Sequence, residues 1–165
     1  MARKTRHRTQ FAALPCHVGV NGQPQILLLT SRETKRWVIP KGWPIKGLKP
    51  RQVAVREAYE EAGLRGTIRS KRPIGVYHYE KQLPGKHLLC EVHVFLLWVS
   101  QQLEDWPEKG QRETRWVDVA EAVALVDEGG LAELVRSVFT AGRPPQPSRH
   151  ARGRIAKSLV PRRLR

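Results

Sequence analysis

The sequence predicts an α/β protein in which a mixed β-sheet is covered by helices on both faces. Short apolar runs of strand length occur together with segments of helical spacing. Their order lacks the regular strand–helix–strand repeat that produces an all-parallel sheet. The chain of 165 residues has room for one domain with a single hydrophobic core. No apolar run approaches the roughly 18 residues that a membrane span requires, so we expect no integral membrane segment.

The first part of the chain predicts three strands. They are expected at residues 11–20, 25–30 and 37–39. The Asn21-Gly22 pair between the first two predicts that they form a hairpin. Pro40 ends the third strand, because proline has no N–H to donate to a central ladder.

A loop over 41–49 and a helix over 50–62 are expected next. The loop contains two glycines and a proline. Pro50 at the first turn and Gly63 directly after the last turn are typical helix boundaries.

The second half predicts three more strands followed by two helices. The strands are expected at 74–79, 88–99 and 116–117, and the helices at 120–127 and 131–140. Gly129 and Gly130 separate the two helices.

The net charge of +15 is concentrated at the two ends of the chain. Residues 1–9 carry four Lys or Arg and residues 143–165 carry eight, with no acidic residue in either segment. The sequence therefore predicts a basic N-terminal arm over 1–9, a nearly balanced domain over 10–142, and a basic, disordered tail over 143–165. The tail is interpreted either as a tether for RNA or another polyanion or as a solvated tail that maintains solubility.

Cysteine content and the N-terminal sequence predict a cytoplasmic protein. Cys16 and Cys90 lie in apolar, strand-like runs, which indicates a reducing compartment. The basic opening segment is not followed by an apolar stretch, so no secretory signal is expected.

Three carboxylates share one face of the predicted helix. At 100° per residue, Glu57, Glu60 and Glu61 occupy an arc of about 100°. Arg56 reaches Glu60 at a spacing of four residues, but one arginine does not balance three acids. The pattern is interpreted either as a solvated acidic face or as a site for Mg²⁺ or Mn²⁺, which prefer oxygen ligands.

The loop before the helix favours the metal site. Gly42 allows the backbone to approach a ligand closely. Lys41, Lys46 and Lys49 lie near the start of the helix, where unsatisfied N–H groups attract anions. Carboxylates that could bind a metal ion lie beside lysines that could bind phosphate. This combination indicates hydrolysis of a phosphoanhydride bond by water.

This segment resembles the Nudix, or MutT-type, hydrolase family. The family signature is G-x5-E-x7-R-E-U-x-E-E-x-G-U, where U is a bulky aliphatic residue, and Gly42 is followed at the right interval by 56-REAYEEAGL-64. The resemblance implies an α/β/α sandwich. It also implies that Glu57, Glu60 and Glu61 coordinate Mg²⁺, that Gly42 offers its carbonyl, and that Arg56 positions the carboxylates.

The chain departs from the signature at Leu48, which stands where the family has its first glutamate. The resemblance implies that a distal acid can complete the metal site. Glu113 is the first candidate by chain order and Glu80 the second.

Two further segments are similar to the branch of diphosphoinositol polyphosphate and diadenosine polyphosphate hydrolases. They are 40-PKGWP-44 and 113-ETRWV-117. Such substrates are densely negative, which fits substrate binding by basic residues near the loop, namely Arg36, Lys41, Lys46 and Lys49. Trp43 is expected either to pack or to contact the ligand.

Two alternative functions remain at this point. The basic ends are compatible with an RNA 5′-pyrophosphohydrolase, and Leu48 is compatible with a non-catalytic module that binds polyphosphate. No role is assigned to His78. His87 and His93 are not at metal-ligand spacing with a cysteine and are expected to have ordinary surface or strand roles.

Overall fold

The computed structural model describes residues 7–140. Within this range, eight strands and three helices follow one another along the chain. They are β1 (His7–Val18), β2 (Pro24–Thr30), β3 (Trp37–Val38), β4 (Lys41–Gly42), α1 (Pro50–Ala62), β5 (Leu64–Thr67), β6 (Gly75–Leu83), β7 (Lys86–Gln102), β8 (Thr114–Asp118), α2 (Val119–Leu125) and α3 (Gly129–Thr140).

The strands form a mixed sheet with β1 and β7 at its centre. β1 runs parallel to β7 over ten residue pairs, from His7 opposite Leu89 to Cys16 opposite Trp98. The other pairs are antiparallel: β2 with β1, β3 and β8; β4 with β1; and β5 and β6 with β7. The predicted mixed sheet is confirmed.

Helices cover both faces of this sheet. On one face, Ala54 and Ala58 of α1 pack against a cluster that includes Ala13 and Phe95. On the other face, α2 and α3 pack against a second cluster, in which Leu131 contributes from α3. Burying apolar area on both faces is the main stabilising contribution to such a three-layer fold. The predicted α/β/α sandwich is therefore confirmed.

Helix α1 has the predicted bounds because both of its ends are encoded locally. At its start, the Lys49 N–H donates to Gln52 Oε1 at 2.8 Å, just before Pro50. At its end, Gly63 adopts a left-handed conformation with φ of 67°, and its N–H donates to the Tyr59 carbonyl at 2.9 Å. A Cβ atom at Gly63 would also overlap the Trp106 ring.

The structure adds two short strands that the sequence reasoning missed. Residues 41–42, expected to lie in a loop, pair with β1 as strand β4. Residues 64–67 pair with β7 as strand β5. Cys16 and Cys90 lie in strands as expected, and both are free and buried.

The expected basic ends lie largely outside the described residues. β1 begins at His7, so residues 7–9 of the expected arm belong to the sheet. Residues 1–6 of the arm and the tail over 143–165 lie outside the described range. None of the helices between residues 7 and 140 is both long and apolar enough to span a membrane.

Candidate metal-binding site

Strand β4 brings the backbone of Gly42 against the carboxylate face of α1. Gly42 pairs with Phe11 of β1 and is buried. A Cβ atom at position 42 would overlap the carboxyl group of Glu57. Glycine is therefore required here by close approach, since even a methyl group would displace the acid.

Glu61 is the most buried of the three acids on this face, with 6% of its surface exposed. The pKa of Glu61 is raised to about 8, mainly by burial and also by the nearby Glu57 charge, whereas Arg112 and Lys41 oppose this increase. A carboxyl group with this pKa carries a proton at neutral pH unless a cation stabilises its charged form.

Glu57 and Glu60 are partly buried beside Glu61. Burial and the charge of Glu60 raise the pKa of Glu57. Arg56 donates from Nε to Glu60 Oε1 at 2.8 Å, which confirms the predicted pair. Because the Arg56 side chain is exposed, its charge is screened by water and compensates this acidic face only in part.

Arg112 and Glu108 also belong to this site, and the sequence reasoning missed both. The Arg112 side chain is 10% exposed, and its Nη2 lies 3.5 Å from Glu61 Oε1 and 3.5 Å from Glu108 Oε1. Its Nη1 donates to the Thr30 carbonyl at 3.2 Å. The Glu108 N–H donates to the Glu60 carbonyl at 3.0 Å, which ties this residue to the end of α1.

Lys41 links the acidic face of α1 to a second acidic group. Burial lowers the pKa of Lys41, and the charges of Glu128 and Glu61 oppose this change. Its Nζ lies 5.1 Å from the centre of the Tyr79 ring. Lys41 therefore interacts electrostatically with both Glu61 and Glu128 and lies beside an aromatic ring.

Trp43 is half-buried and lies between two cations. Arg8 Cζ is 4.6 Å from its ring centre and Lys81 Nζ is 5.5 Å from it. Cations at this distance from an indole are attracted to its π face. We call Arg8, Lys41, Trp43, Tyr79 and Lys81 the basic patch.

The other predicted site residues lie outside the group of acids on α1 and outside the basic patch. Lys46, Lys49 and Arg36 are exposed. The Glu113 side chain is also exposed, and its backbone exchanges hydrogen bonds with Thr30. It lines an open cleft of about 450 Å³ together with Lys35 and Arg112. Glu80 lies on β6, where its Oε2 is 3.6 Å from His87 Nδ1. Their roles in binding remain predictions.

The donor set of this site fits a hard divalent cation. The acids at positions 57, 60, 61 and 108 offer only oxygen ligands, and the charges of Glu60 and Glu108 contribute to the raised pKa of Glu57. Mg²⁺ and Mn²⁺ prefer carboxylate, carbonyl and water oxygens. Leu48, half-buried in the loop before α1, offers no ligand atom.

Comparison with known protein families decides the classification. Residues 13–138 match the profile of the NUDIX domain. The chain belongs to the Nudix family. This match extends from β1 into α3, so it covers both faces of the sheet and the carboxylate helix.

Relatives of this Nudix protein carry hydrolase names. Nudix hydrolase 12, mitochondrial, from Arabidopsis thaliana is 36% identical over 109 residues, which are 61% of this chain and 51% of the relative. Mouse diphosphoinositol polyphosphate phosphohydrolase 3-alpha is 32% identical over 117 residues, which are 70% of this chain and 67% of the relative. The chain thus spans between about half and two thirds of the length of these relatives.

Solved structures confirm the Nudix fold. A Caenorhabditis elegans Ap4A hydrolase in a binary complex superposes with a TM-score of 0.61 at 22% identity, over 82% of this chain and 99% of that structure. The Nudix hydrolase RenU from Mycobacterium smegmatis superposes with a TM-score of 0.63 at 21% identity, over 87% and 92% of the two chains. At these identities the similarity concerns the fold alone.

Proposed function

We propose that this Nudix protein is a Mg²⁺- or Mn²⁺-dependent pyrophosphohydrolase. Its substrate would be a polyphosphorylated small molecule, such as a diphosphoinositol polyphosphate or a dinucleoside polyphosphate. Water would attack a phosphorus atom and break a phosphoanhydride bond.

The burial of Glu61 within a group of further acids carries this proposal. A solvated acidic face, the alternative interpretation, would leave its carboxylates exposed and their pKa values low. Glu61 is instead 6% exposed, with a pKa of about 8. Buried carboxyl groups of this kind are costly without a cation and are a common feature of functional sites.

Glu57, Glu60 and Glu61 would hold the metal ion, together with the Gly42 carbonyl. A bound divalent ion polarises a phosphoryl oxygen and lowers the pKa of bound water. Arg56 would orient Glu60 through the hydrogen bond described above.

An additional carboxylate would replace the acid that Leu48 lacks. Glu108 and Glu113 are the two candidates in the segment before β8. The Glu108 charge contributes to the raised pKa of both Glu57 and Glu61, which supports its assignment. Comparing Glu108→Gln with Glu113→Gln distinguishes them, because only loss of the true ligand would weaken metal binding.

The basic patch would bind the phosphate groups of the substrate. Lys41 is adjacent in sequence to Gly42, and Arg8 and Lys81 supply two further charges around Trp43. Lys46, Lys49 and Arg36 would add charge at the periphery. The mouse relative is named as a diphosphoinositol polyphosphate phosphohydrolase and the nematode structure as an Ap4A hydrolase. Both names support a polyphosphorylated substrate for this chain.

The test is phosphate or nucleotide release from a panel of such substrates, with and without Mg²⁺. Glu61→Gln keeps the size of the side chain but removes its charge. We expect it to reduce kcat by at least about 100-fold, the scale of electrostatic contributions to catalysis. The matched control is Glu133→Gln on α3, whose carboxylate is exposed and pairs with Arg136.

Three outcomes would overturn the proposal. One is undiminished turnover in Glu61→Gln, and another is turnover that is independent of a divalent ion. The third is binding of polyphosphates without hydrolysis of any member of the panel, which would indicate a non-catalytic module. Preferential hydrolysis of triphosphate-ended RNA, with a sharp loss on removal of residues 143–165, would instead support the RNA pyrophosphohydrolase.

A further inference from the structure

A group of histidines lies on one face of the central strands, outside the carboxylate site. The chain has six histidines, and β1, β6 and β7 place His7, His78, His87 and His93 on this face. Strand register explains the grouping, because His7 pairs with Leu89 and His78 pairs with Glu91. Positions two residues apart on a strand share a face, so Leu89, Glu91 and His93 point the same way.

Glu91 is at the centre of this group. His93 Nε2 lies 2.6 Å from Glu91 Oε1, and His78 Nε2 lies 3.4 Å from Glu91 Oε2. One ligand atom from each of His7, His78 and Glu91 lies within 4.8 Å of the other two. The rings of His7 and His78 meet edge to face, with their centres 6.0 Å apart.

We propose that His7, His78, Glu91 and His93 form a binding site for a transition-metal ion of the Zn²⁺ type. Three imidazoles and one carboxylate are a donor set suited to Zn²⁺, and imidazole does not suit Mg²⁺. This site is separate from the oxygen-only site on α1, and it goes beyond the proposed hydrolysis.

The geometry requires His7 to move toward the other ligands and the half-buried His93 to move away from Glu91 Oε1, which now lies 2.6 Å from its Nε2. Tetrahedral Zn²⁺ with ligands at about 2.1 Å places neighbouring ligand atoms about 3.4 Å apart. The 3.4 Å separation of His78 and Glu91 already matches this value. The His7 ligand atom lies within 4.8 Å of the other two, so it must approach by at most about 1.4 Å, which rotation of an exposed side chain provides.

Two of the proposed histidine ligands already contact the Glu91 carboxylate. Glu91 Oε1 accepts a hydrogen bond from His93 and Glu91 Oε2 accepts one from His78, so the carboxylate already faces two of the proposed ligands. On ion binding, each imidazole nitrogen that faces Glu91 would direct its lone pair to the metal, with the single ring proton on Nδ1. The strand framework keeps the donors together in either state, because β1, β6 and β7 are neighbours in the sheet.

Titration calorimetry of the full chain with ZnCl₂, in the presence of excess Mg²⁺, tests this proposal. Mg²⁺ occupies oxygen sites and leaves imidazole donors available. We expect one Zn²⁺ to bind. His78→Ala and His93→Ala should each weaken the affinity by at least about 10-fold, because even the loss of a residue that only hydrogen-bonds to a metal ligand has an effect of this size.

Two control variants make the result specific. His87→Ala removes a histidine of the same face that pairs with Glu80, outside the proposed ligands, and should leave the Zn²⁺ affinity unchanged. Glu61→Gln should also leave it unchanged, which distinguishes this site from the proposed catalytic site. Circular dichroism of each variant checks that the fold is retained.

X-ray absorption of the Zn²⁺-loaded protein supplies the second readout. The proposal predicts imidazole scattering from about three histidines. Absence of Zn²⁺ binding would overturn it, as would an affinity that is unaffected by His78→Ala and His93→Ala. An affinity that falls with Glu61→Gln instead would assign the ion to the carboxylate site and would equally overturn it.

Discussion

Replacing Arg112 by methionine should destabilise the protein much more than removing an exposed arginine does. The Arg112 guanidinium is 10% exposed and lies 3.5 Å from both Glu61 and Glu108. It also donates to the Thr30 carbonyl at 3.2 Å. Methionine keeps much of the apolar contact but removes the charge and every hydrogen-bond donor.

The size of the effect follows from the groups left without a partner. Removing one member of a buried ion pair costs about 3–5 kcal/mol. Because the pKa of Glu61 is about 8, this group already carries a proton for much of the time at neutral pH in the metal-free protein, which reduces the loss. We therefore expect the free energy of unfolding to fall by about 2–3 kcal/mol in the metal-free protein at neutral pH.

Urea denaturation of the metal-free wild type and variant measures this difference. Arg136→Met is the matched control, because the Arg136–Glu133 pair is shorter, at 2.7 Å, but exposed, and its loss should cost at most about 1 kcal/mol. Mg²⁺ should reduce the deficit of Arg112→Met, since a bound cation compensates the same acids. Equal losses in the two variants, or a deficit unaffected by Mg²⁺, would refute this reasoning.

Three further predictions concern glycine positions and one histidine. Gly63→Ala should destabilise the protein by at least about 1 kcal/mol in urea denaturation, because Gly63 is left-handed and its Cβ would overlap Trp106. Gly42→Ala should reduce Mg²⁺-supported hydrolysis by displacing the Glu57 carboxyl group, as measured by phosphate release at saturating metal. His17 is buried, and burial lowers its pKa below 6.5, so the unfolded chain takes up a proton before the folded one does. The free energy of unfolding should therefore fall as the pH drops below 6.5. This fall should be at most about 1.4 kcal/mol per pH unit, and His17→Gln should make it smaller.

Each of these predictions has a control or a contradicting result. Gly85→Ala shares the positive φ of Gly63 but meets open space, so it should cost less than Gly63→Ala. Gly129→Ala also meets open space and should retain hydrolysis, unlike Gly42→Ala. An unchanged acid dependence of stability in His17→Gln would contradict the interpretation of that histidine.

Much of the fold could be predicted because its boundaries are encoded by neighbouring residues. Pro50 and Gly63 fix both ends of α1 locally, and its predicted range is confirmed. Strands β4 and β5 were missed because two- and four-residue segments carry too little periodicity, and their pairing depends on distant partners. β4 matters for the proposed metal site, since it carries Gly42 to the helix.

The candidate site could be predicted only where its residues are close in sequence. Glu57, Glu60 and Glu61 share one helical turn, so their spacing alone brings them together. Arg112 and Glu108 come from an irregular segment that no periodicity places. The same limit applies to the histidine group, whose members lie on three strands and meet only through the sheet register.

The central claim is that the acids on α1 are crowded together because they bind a divalent ion. Titration with Mn²⁺, followed by electron paramagnetic resonance and competed with Mg²⁺, tests this claim most directly. We expect wild type and Glu133→Gln to bind Mn²⁺ and to release it when Mg²⁺ is added in excess. A Glu57→Gln, Glu61→Gln double variant should not bind Mn²⁺. Equal Mn²⁺ binding by the double variant would contradict it.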